Sequence, residues 1–348
     1  MENEPTIVVA GAGGAIGSHL VPHLARTPGL RRLTLVDFDR YDETNLWTQD
    51  IEASDFGQPK VRVQAAKVRR INPALTVETF AERLEDFPRG LLRATLLVSC
   101  LDSRAARQHV NEIAYRLSMP WIDCGVLGSE NLARVNAYVP ERDAPCLECS
   151  WSGEDYALLE QEYLCGGGNG AARPTRASSA LAALAASLVA IEIAKLLAGD
   201  RANSVVGRQV VVNAQHHSLT VTAARRNPAC LFDHQSWLIE PRRCRLASAL
   251  VGETLDALGG LQVDGHKFVS ALVCPACSHR QDSFRLNRPL ARCPACARRM
   301  VDPGFGSCEH LDSNLPPEYR ALTLAQAGLR HGDVISAGGW HYQLLEAA

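Results

Sequence analysis

The chain has 348 residues, 46% of them hydrophobic and 21% charged, with a formal net charge of −2. That length holds a full α/β domain and a smaller second unit, and the near-neutral balance gives no general polyanion-binding surface, so no nucleic-acid partner is expected. The acidic N-terminus enters a strand at once, unlike a signal peptide; twelve cysteines in such a chain point to metal ligation or catalysis in a cytoplasmic setting, not to disulfides.

In chain order, Ile7-Val8-Val9-Ala10 is a short apolar strand that runs into Gly11-Ala12-Gly13-Gly14-Ala15-Ile16-Gly17. Glycines allow a tight turn and close backbone approach to a phosphate, which the N–H groups of the following helix, expected over residues 18–27, attract. A second strand, 33–36, ends in Asp37-Phe38-Asp39, placing an acid where ribose hydroxyls would lie. Alone, this β-α-β unit would suggest NAD. Beyond it stand Asp42-Glu43-Thr44-Asn45-Leu46-Trp47-Thr48-Gln49 and then Gly57-Gln58-Pro59-Lys60. A helix over 58–71 puts Val61, Ala65 and Val68 on one face, and Asn72-Pro73 ends it.

Strands are expected at 77–80 and 96–99, the latter leading to Leu101-Asp102-Ser103. A helix over 104–119 comes next, then strands at 121–125 and 135–139. Residues 145–176 read as a long irregular crossover, a length that compact domains keep for function. The apolar stretch 177–191 falls short of the ~20 residues of a membrane span and reads as a buried helix over 178–197, so no membrane partner is expected. A hairpin, 209–213 with 219–223, closes the sheet. After residue 236 the character changes: 244–258 looks helical, and 270–300 holds Cys274-Pro-Ala-Cys277 and Cys293-Pro-Ala-Cys296, fifteen residues apart. That spacing is a zinc ribbon whose four thiolates surround one tetrahedral Zn²⁺ in a structural role.

The glycine loop, Asp37-x-Asp39, Asn45-Leu46-x-x-Gln49, Gly57-x-x-Lys60, and Asp102 with Arg107 and Asn111 beyond it together resemble the ThiF/MoeB-type adenylyltransferases and the adenylation domains of ubiquitin-activating enzymes, over roughly residues 5–230. The resemblance implies an α/β fold with a Rossmann-like, doubly wound mixed sheet in a domain of residues 1–235, and the change of character after 236 marks a C-terminal domain of 236–348 that contains the zinc ribbon. It implies ATP and Mg²⁺, a homodimer or a related partner subunit, and a protein substrate ending in Gly, either ubiquitin-like or a sulfur carrier. Elementary chemistry agrees with those roles. Attack of a carboxylate on the α-phosphorus needs stabilisation of developing charge. Lys60 supplies a mobile cation, and Asp102, at a strand's carboxyl end, an oxygen ligand for Mg²⁺. Asn45 and Gln49 supply amide donors, and Asp37 takes the ribose. Thr48 departs from the family, which has Arg there, and a hydroxyl does not replace a bidentate cation. Arg107 is the family-matched compensating cation; Arg104 and Arg173 are further candidates.

A third pair, Cys146-Leu-Glu-Cys149, has a family counterpart that joins two cysteines near an Arg-Asn-Pro-x-Cys segment. Here that segment ends in Cys230, with His234 four residues on. A Cys₃His zinc site from Cys146, Cys149, Cys230 and His234 is one reading; His217, Cys244 or free thiols are the alternatives. Cys165, followed by a glycine-rich run, belongs to no pair. In thioester-forming relatives the nucleophile lies in this crossover, so Cys165 is a candidate catalytic cysteine, with a plain loop thiol or metal ligand as the rival. The tail 322–345 resembles the closing part of a ubiquitin-like β-grasp, which in activating enzymes recruits the conjugating enzyme; a packing appendage is the alternative. The expected activity is ATP-dependent adenylation of such a partner, with thioester formation next. The rivals are adenylation alone, a zinc scaffold with a degenerate ATP site, and an NAD-binding oxidoreductase, against which Lys60 and the Asn45 segment argue.

Overall fold

The computed structural model describes residues 4–163, 177–288, 292–304 and 306–347, the side chains of 160–163 excepted. The chain divides into two compact units, Met1–Leu84 with Arg93–Ser236, and Glu85–Leu92 with Trp237–Ala348.

The first unit alternates strands and helices: β1 (Thr6–Ala10), α1 (Ala15–Leu24), β2 (Arg32–Val36), α2 (Lys60–Ile71), β3 (Thr76–Phe80), β4 (Leu96–Ser99), α3 (Arg104–Arg116), β5 (Trp121–Leu127), β6 (Leu132–Tyr138), α4 (Gly153–Tyr163), α5 (Ser179–Leu197), β7 (Arg208–Asn213) and β8 (Ser218–Ala223). The strands form a mixed sheet in the order β3-β2-β1-β4-β5-β6-β7-β8. The first five run parallel and the last three antiparallel. Near-continuous apolar runs such as Ile7–Ala10 and Leu96–Val98 are buried, as strands covered on both faces must be. One apolar core joins the strands to Leu20, Val21 and Leu24 of α1, to Val61, Ala65 and Val68 of α2, and to Leu181, Ala185, Val189 and Ile193 of α5. The apolar run expected to be a buried helix is thus α5. It is long and apolar enough to cross a membrane by length and composition, yet one side is core. Ser178 caps it by accepting from Leu181 N–H at 3.2 Å, and Ser103 caps α3 from Ala106 N–H at 3.1 Å, each worth about 1 kcal/mol.

β2 lies on one side of β1 and β4 on the other. The connection therefore reverses direction at the carboxyl end of β1, and a crevice opens where open α/β sheets bind ligands. Two details differ from the sequence reading. Helix α2 begins at Lys60, because Pro59 is its N-cap in extended ψ. The stretch 145–176, expected to be irregular, contains α4 and a short 3₁₀ turn, Leu147–Ser150.

The second unit contains β9 (Ile239–Cys244), α6 (Val251–Leu258), β10 (Leu261–Val263), β11 (Phe268–Val273), β12 (Arg280–Leu286), β13 (Ser307–Cys308), β14 (His310–Leu311), α7 (Pro317–Arg320), β15 (Val334–Ala337) and β16 (Trp340–Glu346). One sheet runs β14-β10-β15-β16-β9 and another β12-β11-β13. Gly338 and Gly339, both at positive φ (57° and 84°), close the β15–β16 hairpin as two-residue turns require. The helix expected over 244–258 is shorter. Cys244 ends strand β9, which pairs in parallel with β16, and a turn over 246–248 precedes α6; Pro241, Arg242 and Arg243 of β9 suit an edge. Residues 85–92, expected in the first domain, belong to this unit. Gly90 N–H donates to Gly332 O at 2.9 Å, Arg330 donates to the Asp86 carbonyl, and Arg89 pairs with Asp264.

Candidate active site and metal centres

The crevice is built from the glycine loop, the end of β2 and the start of α2. Gly11, at φ +76°, sits where an added Cβ would lie 2.7 Å from the Cys100 carbonyl; at Gly17 it would lie 2.2 Å from the Gly11 carbonyl. At Gly13 it would meet Lys60 Cβ at 2.3 Å and the Tyr41 hydroxyl at 2.8 Å. Gly14 is the N-cap of α1. Only glycines fit such a cradle, and the α1 N-terminus beyond it offers N–H groups to an anion.

Asp37 holds the loop in place. Its Oδ2 accepts from Gly13 N–H at 2.9 Å and its Oδ1 from Asp39 N–H at 3.0 Å. Burial pushes its carboxyl above the usual range, against the opposing pull of Lys60 and these two N–H groups. Each oxygen keeps a second lone pair for another donor. Lys60 is 6% exposed. Its Nζ lies 3.4 Å from the half-exposed Asp39 Oδ2 and 5.6 Å from the Tyr41 ring centroid. Tyr41 and Gln64, absent from the sequence reading, are buried beside it; the only signal was Gln64 standing one helical turn after Lys60.

Asn45 Oδ1 accepts from Asp42 N–H at 3.1 Å in a capping box, which leaves its amide nitrogen to donate. Gln49 turns Oε1 inward, where it has no partner among the described residues. Asp102 is exposed between β4 and the Ser103 cap. Arg107, the family-matched cation, is directed inward: its Nε donates to the Leu101 carbonyl at 2.9 Å and lies 3.5 Å from Asp123 Oδ1. Asp123 is fully buried and also pairs with Arg134 at 2.7 Å. Arg107 thus braces the Asp102 loop from beneath. Arg104 is paired with Asp155 of α4. Cys165 and Arg173 lie outside the described residues.

The structure brings Cys146, Cys149, Cys230 and His234 together, with every donor atom within 4.8 Å of the others. Cys146 Sγ is 3.8 Å from both Cys149 Sγ and Cys230 Sγ, and 3.3 Å from His234 Nε2, which is 3.6 Å from Cys149 Sγ. Tetrahedral zinc, with Zn–S of about 2.3 Å and Zn–N of about 2.0 Å, sets edges of about 3.6–3.8 Å, so the donor set fits the ion. Burial, aided by Arg226, pushes the His234 imidazole down to about 4, which keeps it neutral and able to ligate. Asn111, in line with the family pattern, accepts from Leu147 N–H at 3.1 Å and so supports the Cys146–Cys149 knuckle; Gln108 and Tyr156 hold Glu148 within it at 2.9 and 3.0 Å. In the second unit Cys274, Cys277, Cys293 and Cys296 converge in the same way, with Sγ pairs at 3.4 and 3.5 Å.

The sequence profile of the ThiF family matches residues 3–232. The molybdopterin-synthase adenylyltransferase of Salmonella typhimurium is 30% identical over 229 residues, 64% of this chain and 85% of that protein. The adenylyltransferase and sulfurtransferase UBA4 of Yarrowia lipolytica is 30% identical over 147 residues, 41% of this chain but 35% of its own length. Solved structures of Escherichia coli MccB, one with ATP, share the fold, with TM-score 0.54 and 21% identity over 65% of this chain and 66% of that one.

Proposed function

Because this chain belongs to the ThiF family, whose relatives are adenylyltransferases and ubiquitin-like modifier-activating enzymes, we propose that it adenylates the C-terminal glycine carboxylate of a small ubiquitin-like or sulfur-carrier protein. Use of ATP follows from the family, and the glycine cradle supports the same placement of the nucleotide. In this reading a carboxylate oxygen attacks the α-phosphorus, the bond to the β-phosphate oxygen breaks, and pyrophosphate leaves. Lys60 counters charge on the phosphates, while Asn45 and Gln49 serve as amide donors. Asp37 holds the loop with two backbone bonds and offers its remaining lone pairs to the ribose; Asp39 keeps Lys60 within reach. Mg²⁺, when bound, would shield the triphosphate, and the exposed Asp102 is the residue to hold it. Arg107 acts from behind, fixing the loop that carries Asp102.

The named relatives favour this substrate class: one acts on the sulfur carrier ThiS, another on a ubiquitin-like modifier. Transfer to Cys165 as a thioester, and then to a conjugating enzyme, is the further step we propose. The two zinc centres are structural. Pairing into a homodimer is supported by Ile191 of α5 and by Leu219 and Val221 of β8, which are all more than half exposed. A cytoplasmic setting suits reduced thiolate ligands.

The observation that carries the reading is the convergence of the glycine cradle, Asp37 and buried Lys60 at the carboxyl end of β1. The test is exchange of labelled pyrophosphate into ATP, driven by a panel of small proteins ending in glycine with the sulfur carrier ThiS among them. Asp102→Ala should lose exchange while keeping its fold; undiminished exchange would remove the assignment. A reductant-sensitive adduct that vanishes in Cys165→Ala separates thioester chemistry from adenylation alone.

A further inference from the structure

Tyr41 and Gln64 take no part in the adenylation chemistry, yet they occupy the floor of the same crevice. Tyr41 is 2% exposed and Gln64 is fully buried. Gln64 Nε2 donates to the Tyr41 hydroxyl at 2.8 Å, while Gln64 Oε1 is buried without a partner among the described residues. Burial pushes the Tyr41 phenol well above its ordinary range, so it stays neutral. A buried polar pair with an unmatched acceptor is destabilising compared with an apolar pair of the same shape. Its presence calls for a reason other than stability.

The surroundings supply one. Lys60 and Gln64 are one helical turn apart on α2, facing the same way. The Tyr41 ring lies under Lys60 Nζ at 5.6 Å, within range of a cation–π attraction. Its hydroxyl lies 2.8 Å from where a Cβ on Gly13 would stand, and Lys60 Cβ 2.3 Å from the same point. Tyr41 is therefore wedged between the glycine loop and the first turn of α2, and Gln64 fixes the depth of the wedge. We propose that Tyr41 and Gln64 form one positioning unit that sets the Lys60 ammonium at the height of the triphosphate, where it rests against Asp39 at 3.4 Å until phosphate oxygens take that place. The proposal rests on the adenylation reading, because it takes the anion at Lys60 to be ATP.

A triphosphate reaches Lys60 and a monophosphate does not in this reading, so the ratio of ATP to AMP affinity reports the placement of Lys60. A general loosening of the fold would weaken both nucleotides. The experiment is calorimetry of ATP and of AMP, each with Mg²⁺, on the full chain. Tyr41→Phe, which keeps the ring, and Gln64→Leu, which keeps the volume, should each weaken ATP about three- to tenfold, the reach of one hydrogen bond, with AMP changed less than about twofold. The double variant should be no worse than either single one. In a Lys60→Ala background, Tyr41→Phe should have no further effect. Equal losses for ATP and AMP, or full additivity with Lys60→Ala, would overturn the positioning role. Lys60→Ala binding ATP like wild type would instead overturn the adenylation site itself, and the positioning role with it.

Discussion

Replacing Gly13 by alanine tests the crevice most directly. The new methyl would stand 2.3 Å from Lys60 Cβ, 2.8 Å from the Tyr41 hydroxyl and 2.9 Å from Lys60 Cδ. Ordinary contact begins near 3.4 Å, so the closest approach is short by about 1 Å. Lys60 Cδ can swing away. Lys60 Cβ cannot, because it rides on the backbone of α2, and the Tyr41 hydroxyl is tied to Gln64. The first turn of α2 must therefore retreat by about an ångström, carrying the ammonium with it. Overpacking of this kind destabilises by about 1–3 kcal/mol, and a displacement of about 1 Å in a positioned group can lower a rate by about a hundredfold. The assay pairs a thermal melt with ATP calorimetry. The melting temperature should fall by several degrees and ATP affinity by about tenfold or more. Gly153→Ala, where nothing lies within 4 Å of the new carbon, should change neither. Wild-type ATP affinity in a well-folded Gly13→Ala protein would refute the placement of Lys60 at the nucleotide.

Metal analysis of protein purified without added zinc should find two ions per chain, one for each donor cluster; His234→Ala should remove one and Cys293→Ser the other, and a chain with none refutes both sites. Asp37 gives a pH signature. Burial raises its folded-state carboxyl above the unfolded value, so its contribution to stability is full below the ordinary carboxylate range and declines as pH rises through the raised value. Urea unfolding of wild type and Asp37→Asn between about pH 3 and 7 should show the difference moving against wild type as pH rises, and a constant difference would count against a raised carboxyl.

The parts of this protein that could be read in advance are those fixed by local chemistry. The Gly11–Gly17 loop, the paired glycines at 338 and 339 and the spacing of Cys274 to Cys296 each demand their structure within a few residues. What could not be read depends on partners far along the chain. Arg107 has the family's spacing from Asp102, but its direction is decided by Asp123 on the next strand. Asn111 belongs to the family pattern, but its role is fixed by the Leu147 backbone N–H that it accepts from, far along the chain. The helical reading of 244–258 failed at its start because the chain turns over 246–248, and Leu250 and Val251 are held by Thr323 and the Leu322 carbonyl, far along the chain. Helix α4 was missed because its faces are not cleanly divided into apolar and polar sides, and periodicity is what a sequence reader detects.

The short segment from Glu85 to Leu92 changes what can be cut from this protein. A gene trimmed to begin at Trp237 would express a tail lacking its own Asp86, Arg89 and Gly90. Arg330, Asp264 and Gly332 would then meet solvent where the full chain supplies a neighbour. A gene stopped at Ser236 would strip that segment of the Gly332 backbone against which Gly90 and Leu91 sit. The tail is therefore stitched into the chain ahead of β4, and any recombination that exchanges it for another module must bring along, or rewrite, a short stretch far upstream of the junction.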